Sequence, residues 1–192
     1  IGWGESFAYT SWRAVKNVIE DMIEPLLIGK KIQEPSDITK IMMELQFKLH
    51  TFGRYGITIF AFSGVEIGLW DSLGKEKNLP IYKMLGNVKN NKFKAYASLI
   101  RYSDKKNIEI YCKSALDHGF KAIKLHEKES KYIEIARKFL GEKIILMNDA
   151  NCSWTADETL NLNKFFEKNK IFWIEEPIFP PEDFKKLSMI IK

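Results

Sequence analysis

The sequence predicts an α/β fold: the first four strands of a (β/α)8 TIM-type barrel, preceded by a mainly helical α+β capping domain. Three observations predict it. Three apolar, strand-like runs, AIKLH at 122–126, IILMNDAN at 144–151 and IFWIEEP at 171–177, each close on residues that bind or move charge. Lys124, Asp149 and Glu175 stand 25 and 26 residues apart, the length of one strand, one helix and their two loops. Helical stretches that stop at Gly119 and Gly141 fill the first intervals. Equivalent positions in successive βα units lie on one face of a barrel, so a Lys, an Asp and a Glu carried there share one pocket. Two converging carboxylates suit a hard divalent cation such as Mg2+.

In chain order, IGWGES reads as a strand-like fragment with a tight backbone, and Ser11 to about Ile28 as a helix. With no initiator Met and no partner for that strand, residues are expected to precede it. Pro35 and Ser36 begin a second helix with Ile38, Ile41, Met42, Leu45 and Leu49 at core spacing. From Thr58 a longer helix follows. It lines up Ala61, Val65, Leu69 and Leu73 on one face, with Gly64 and Gly68 where another helix could approach closely. Glu66 and Asp71 interrupt it and read as surface ion-pair partners. NLPIYKMLGN reads as a turn, a short Pro-started helix and a Gly stop. These residues, 1–90, form the expected cap.

Residues 91–192 form the expected half barrel. KFKAYASL at 92–99 is its first strand, ending near Ser98, one period of 26 residues before Lys124. Helices are expected from Asp104 to about His118, Glu129 to Leu140, Ala156 to about Glu167, and Pro181 to Ile191. Asp104 and Asp157 serve as caps or first-turn acids. Half a barrel exposes two strand edges and an open core, so self-association into a homo-oligomer is expected.

Composition narrows the class. The chain has 192 residues, 45% hydrophobic and 29% charged, with no apolar run long enough to span a bilayer and no signal-peptide pattern, so a cytoplasmic address and no membrane partner are expected. The formal charge is +5, but 30 basic residues are interspersed with 25 acidic ones, which argues against nucleic acid. Cys112 and Cys152 have no metal or redox spacing and read as reduced packing residues.

Lys124 and His126 are two apart on a strand and leave on the same face. Either could serve as a general base, a lysine if neighbouring cations lower its pKa, a histidine with little tuning.

The run AFSGVEIGLWDSLGKEKNLPIYKMLG at 61–86 resembles the first signature of the mandelate racemase and muconate lactonizing enzyme family of the enolase superfamily. Gly68 stands where that family usually has Ala, and Ser72 where it prefers an aliphatic residue. Leu146, Asp149, Asn151, Phe166, Ile174, Glu175, Glu176 and Pro177 fall at the spacing of a second signature, from which Thr159 departs. Two long, independent matches are a specific signal.

The resemblance implies that Asp149 and Glu175 are the first two ligands of Mg2+, with a third acid about one period later, near position 200. It implies Lys124 and His126 as catalytic residues, His126 replacing the second lysine of the family's K-x-K. Asn151 and Ser98 are the candidate substrate contacts, and Glu176 an outer support. The implied reaction is abstraction of a proton α to a carboxylate through an enediolate, on an acid sugar or hydroxy acid. The EEP ending resembles the mandelate racemase branch, hence a dehydratase or racemase. The alternatives are a muconate-type cycloisomerase, a dipeptide epimerase, or a non-catalytic half barrel that self-associates.

Overall fold

The computed structural model describes residues 1–86, 89 and 92–190. It divides into two compact units, Ile1–Asn91 and Lys92–Lys192.

In the first unit, a 3-10 turn at Tyr9–Ser11 leads into α1 (Trp12–Asn17), a π-helical turn (Val18–Ile23) and α2 (Glu24–Leu27), one continuous helical path. α3 (Pro35–Lys48) starts on a capping box in which Glu34 and Asp37 serve each other's backbone, with Pro35 at a position that needs no N–H donor. Its Ile38, Ile41, Met42 and Leu45 are buried at the predicted spacing, and Leu49 joins them. α4 (Ile57–Lys77) buries Ala61, Phe62 and Leu73 in the same core and ends on left-handed Asn78. α5 (Ile81–Met84) follows Pro80. Asp71 pairs with Lys75 at 2.5 Å, the surface role expected of it, while Glu66 accepts from Trp70 Nε1 at 3.4 Å.

The opening IGWGES is not a strand, and no strand occurs among the described residues of this unit. It lies instead along α4. A Cβ on Gly2 would overlap the carbonyl of Gly68, and one on Gly4 that of Gly64. The glycine face of α4 therefore receives an irregular segment, where the sequence suggested a helix. Neither Gly2 nor Gly4 has positive φ, so close approach and not backbone conformation requires glycine there. The Trp3 N–H donates to Asp71 Oδ2 at 2.7 Å, and Lys75 Nζ to the Ile1 carbonyl at 3.3 Å. These side-chain contacts take the place of strand pairing.

In the second unit, four parallel strands pair in chain order: β1 (Ala97–Ser98), β2 (Ala122–Leu125), β3 (Ile145–Asp149) and β4 (Ile171–Glu175). Helices α6 (Lys105–Asp117), α7 (Ser130–Leu140), α8 (Ala156–Lys168) and α9 (Phe184–Ile190) follow them in turn. Consecutive parallel order with one helix after each strand is the arrangement of half a (β/α)8 barrel. β1 is shorter than the 92–99 run suggested, pairing with β2 only through Ala97 and Ser98. α9 begins at Phe184, after Pro180 and Pro181, and Ile191 lies outside the described residues. Asp104 caps α6 as expected, whereas Thr155 caps α8 and Asp157 takes the first-turn position.

Alternation sorts the sheet. Ile123, Leu125 and Leu146 face the helices and are fully buried with Ile108, Cys112, Ala136 and Leu140. Each such aliphatic side chain contributes roughly 1.5–3 kcal/mol by leaving water. Ser98, Lys124, Met147 and Asp149 are carried on the opposite face. Sheet packing thus determines which side chains are left to meet at the strand ends.

Candidate active site at the strand ends

Register brings the charged residues together. Ser98 pairs with Lys124, Lys124 with Met147, and Asp149 with Glu175. Continuing β2 by one residue past the Leu125–Asn148 pair sets His126 beside Asp149. His126, Asp149 and Glu175 therefore form one row, and Ser98 and Lys124 belong to the row below. The β3–β4 ladder extends past both acids: the N–H groups of Ala150, Cys152 and Trp154 donate to the carbonyls of Glu175, Glu176 and Pro177 at 2.9, 2.7 and 3.1 Å. Left-handed residues at Asn151, Cys152 and Glu176 turn the chain here.

Lys124 Nζ donates to Glu175 Oε2 at 2.8 Å and stands 3.6 Å from Asp149 Oδ2. The Lys124 and Asp149 side chains are 9% and 7% exposed, so the pair is buried, while Glu175 keeps 41% of its surface in solvent. Burial works against the lysine charge, but the Glu175 hydrogen bond and the nearby acids outweigh it and hold its pKa above the ordinary value. The two acids thus favour the ammonium form of Lys124. The Tyr96 ring lies 5.8 Å from the same Nζ.

His126 Nε2 is 3.3 Å from Asp149 Oδ2, and its Nδ1 meets the Leu99 carbonyl oxygen. Asn151 donates to Asp149 Oδ1 twice, through its backbone N–H and its Nδ2, each at 2.8 Å. Ser98 is exposed on the same face, beside Lys124. Among the described residues the Glu176 side chain reaches only Cys152 Sγ, at 4.0 Å. Its contact with β3 is made by its backbone.

Four contributors were not anticipated. Arg101 donates through Nε to the His126 carbonyl at 2.7 Å and through Nη2 to Asn151 Oδ1 at 2.9 Å. The buried Glu127 carboxylate accepts the N–H groups of Tyr102 and Ser103 at 2.9 and 3.2 Å. Asn148 exchanges two hydrogen bonds with the Glu127 backbone, at 3.0 and 2.9 Å. Leu99 contributes its carbonyl. The signal was in the spacing: Arg101 lies 25 residues before His126 and 50 before Asn151, the strand-end period again.

Asp149 and Glu175 supply hard oxygen donors, and both face one point of required positive charge, marked by Lys124 Nζ. That donor chemistry fits Mg2+. Among the described residues no group of three or more His, Cys, Asp and Glu side chains is arranged to hold a metal. Nor is any described helix long and apolar enough to cross a membrane.

A parallel half barrel with a Lys, a His and two acids converging at its strand ends defines a class of barrel proteins, and comparison gives the family. The family model for the mandelate racemase / muconate lactonizing enzyme N-terminal domain matches residues 1–86, and that for the enolase C-terminal domain-like region matches residues 108–191. The chain belongs to the mandelate racemase/muconate lactonizing enzyme family of the enolase superfamily.

Arabinonate dehydratase from Saccharolobus solfataricus is 35% identical, over 93% of this chain and 49% of that protein. The 3,6-anhydro-D-galactonate cycloisomerase structure from Zobellia galactanivorans superposes with a TM-score of 0.88 at 30% identity, over 99% of this chain and 53% of that one. A racemase from Streptomyces coelicolor A3(2), solved with bound magnesium, gives a TM-score of 0.83 at 27% identity, over 93% of this chain and 54% of that one. The chain thus spans about half the length of the relatives it matches.

Proposed function

We propose that this protein takes part in Mg2+-dependent abstraction of a proton α to a carboxylate, acting on an acid sugar or hydroxy acid as a dehydratase or racemase. The observation that carries the reading is the convergence of Asp149 Oδ2 and Glu175 Oε2 on Lys124 Nζ, with His126 Nε2 at 3.3 Å from the same Asp149 oxygen. The names of the relatives, a dehydratase, a cycloisomerase and a racemase, support the reaction class.

Asp149 and Glu175 would hold the cation. Bound there, Mg2+ supplies a fixed positive charge toward the substrate carboxylate, which gains electron density as the proton leaves. Lys124, an ammonium, adds a second positive group for the same charge. His126 Nε2 takes the proton: the C–H bond breaks, an N–H bond forms, and the electron pair passes into the carboxylate as an enediolate. Asp149, adjacent to Nε2, favours the imidazolium that results. Return of the proton to the other face inverts the centre. Where a hydroxyl sits on the next carbon, its departure as water, with that proton, completes a dehydration. Asn151 and Ser98 border the space where substrate oxygens would lie, and no nucleic-acid or membrane partner enters this scheme.

The test is calorimetric titration of Mg2+ into the wild type and the Asp149→Asn and Glu175→Gln variants, with deuterium exchange at the α carbon of a panel of acid sugars as the catalytic readout. Both substitutions should abolish binding and exchange while leaving the circular dichroism spectrum unchanged; retained exchange would reject the reading. The cycloisomerase alternative draws support from the Zobellia relative's name. A non-catalytic, self-associating half barrel draws its support from the apolar inner face of the sheet, where Tyr96, Ile145 and Trp173 are 39%, 42% and 38% exposed.

A further inference from the structure

The structure assigns to Arg101, and to the β1–α6 loop that carries it, the positioning of His126, an inference that rests on the proton-abstraction reading above. A histidine presents two nitrogens, and directional proton transfer requires one to be engaged and the other free. The Leu99 carbonyl oxygen faces Nδ1 and can only accept, so Nδ1 carries the ring proton. Nε2, which faces the Asp149 carboxylate oxygen at 3.3 Å, is the nitrogen that would exchange the proton.

Two residues past Leu99, Arg101 Nε donates to the carbonyl of His126 itself at 2.7 Å. One short stretch of chain therefore grips both the ring and the backbone of the candidate base. The same guanidinium reaches Asn151 Oδ1 at 2.9 Å, and Asn151 in turn donates to Asp149 Oδ1 at 2.8 Å. Arg101 links the residue that would move the proton to the residue that would hold the cation. Among the described residues no carboxylate pairs with it, so its partners are two neutral oxygens selected by geometry.

The loop is anchored from its other side as well. Tyr102 and Ser103 donate their N–H groups to Glu127, the residue after His126, and Glu127 is fixed to β3 by Asn148. Among the described residues, every side-chain hydrogen bond of the stretch 99–103 ends on His126, its neighbour Glu127, or Asn151. A lysine base needs no such frame, since its ammonium rotates freely, but an imidazole does. The loop provides the constraint that a histidine at position 126 demands.

The test is the imidazole 15N spectrum of 15N-histidine-labelled protein under conditions where the ring is neutral, with the signal assigned by its loss in His126→Gln. The wild type should show the Nδ1–H tautomer. In Arg101→Met the Nε2–H form should gain, and kcat should fall by about tenfold to hundredfold. Arg101→Lys, which keeps a donor for the His126 carbonyl, should restore most of the Nδ1–H signature. Should Arg101→Met not fold, Arg101→Gln carries the same comparison. An Nε2–H tautomer in the wild type, or an undisturbed Nδ1–H signature without the guanidinium, overturns the assignment whatever happens to the rate. Failure of the wild type to bind Mg2+ would instead reject the metal reading and leave this spectrum unaffected.

Discussion

Lys124 Nζ bonds Glu175 Oε2 at 2.8 Å, from β2 to β4 across the intervening β3. The two residues are 51 apart in the chain. Their contact, with Asp149 Oδ2 3.6 Å from the same Nζ, ties three strand ends through one ammonium.

Removing that ammonium leaves the buried Asp149 carboxylate with its Asn151 hydrogen bonds but no ammonium beside it. Lys124→Met should lower stability by about 3 kcal/mol, the scale for breaking a buried pair. Urea unfolding in metal-free buffer measures it. Adding Asp149→Asn to Lys124→Met should recover much of the loss, and simple additivity would contradict the coupling.

The glycines of the first unit are not equivalent. A Cβ on Gly4 would collide with the Gly64 backbone, whereas one on Gly68 meets its nearest neighbour, Gly4 N, at 3.6 Å, an ordinary contact. Gly4→Ala should detach the opening segment, seen as faster amide exchange at Trp3. Gly68→Ala should leave that exchange unchanged, in keeping with the Ala that relatives of this signature usually carry there.

Asp71 holds the same segment, and its carboxyl lies below its ordinary 3.8 because of the Lys75 hydrogen bond first and the Trp3 N–H second. A depressed carboxylate contributes fully above the unfolded value and loses its contribution as pH falls through the folded one. Exchange at Trp3, corrected for its intrinsic pH dependence, should accelerate on acidification below pH 3.8. Asp71→Asn should show no such acid step.

Burial pushes the Cys112 thiol up to about 12. Because the thiolate is the reactive form, Cys112 should resist alkylation at pH 8 until the protein unfolds. Cys152 is only partly buried and should react first, although burial and then Glu176 also raise its pKa. Mass spectrometry after timed labelling separates the two.

The apolar inner face bears on assembly. Sedimentation should show concentration-dependent association of this chain, and Trp173→Lys, which places a charge among Tyr96 and Phe172, should weaken it. A monomer at every concentration would exclude association through this face.

Much of this was legible in one dimension. The strand period located Lys124, Asp149 and Glu175, because a βα unit has a narrow range of lengths and places equivalent residues at one end; His126 followed from its place two residues after Lys124 on the strand, and Asn151 from the resemblance to the family signature. The core of α3 followed from its spacing. The opening segment was misread because a strand-like pattern says nothing about whether a partner strand exists. Arg101 was passed over because an arginine in a loop is unremarkable until its period to His126 is noticed.

The sequence by itself determined the family, the parallel βα order and which acids belong at the strand ends, since these depend on local periodicity and fixed spacing. Only the tertiary structure decided that Lys124 Nζ is shared by two acids, that His126 Nδ1 faces the Leu99 carbonyl, and that Arg101 bonds both the His126 carbonyl and Asn151. Those outcomes depend on register and on which hydrogen-bond partners surround each group once strands distant in the chain lie side by side.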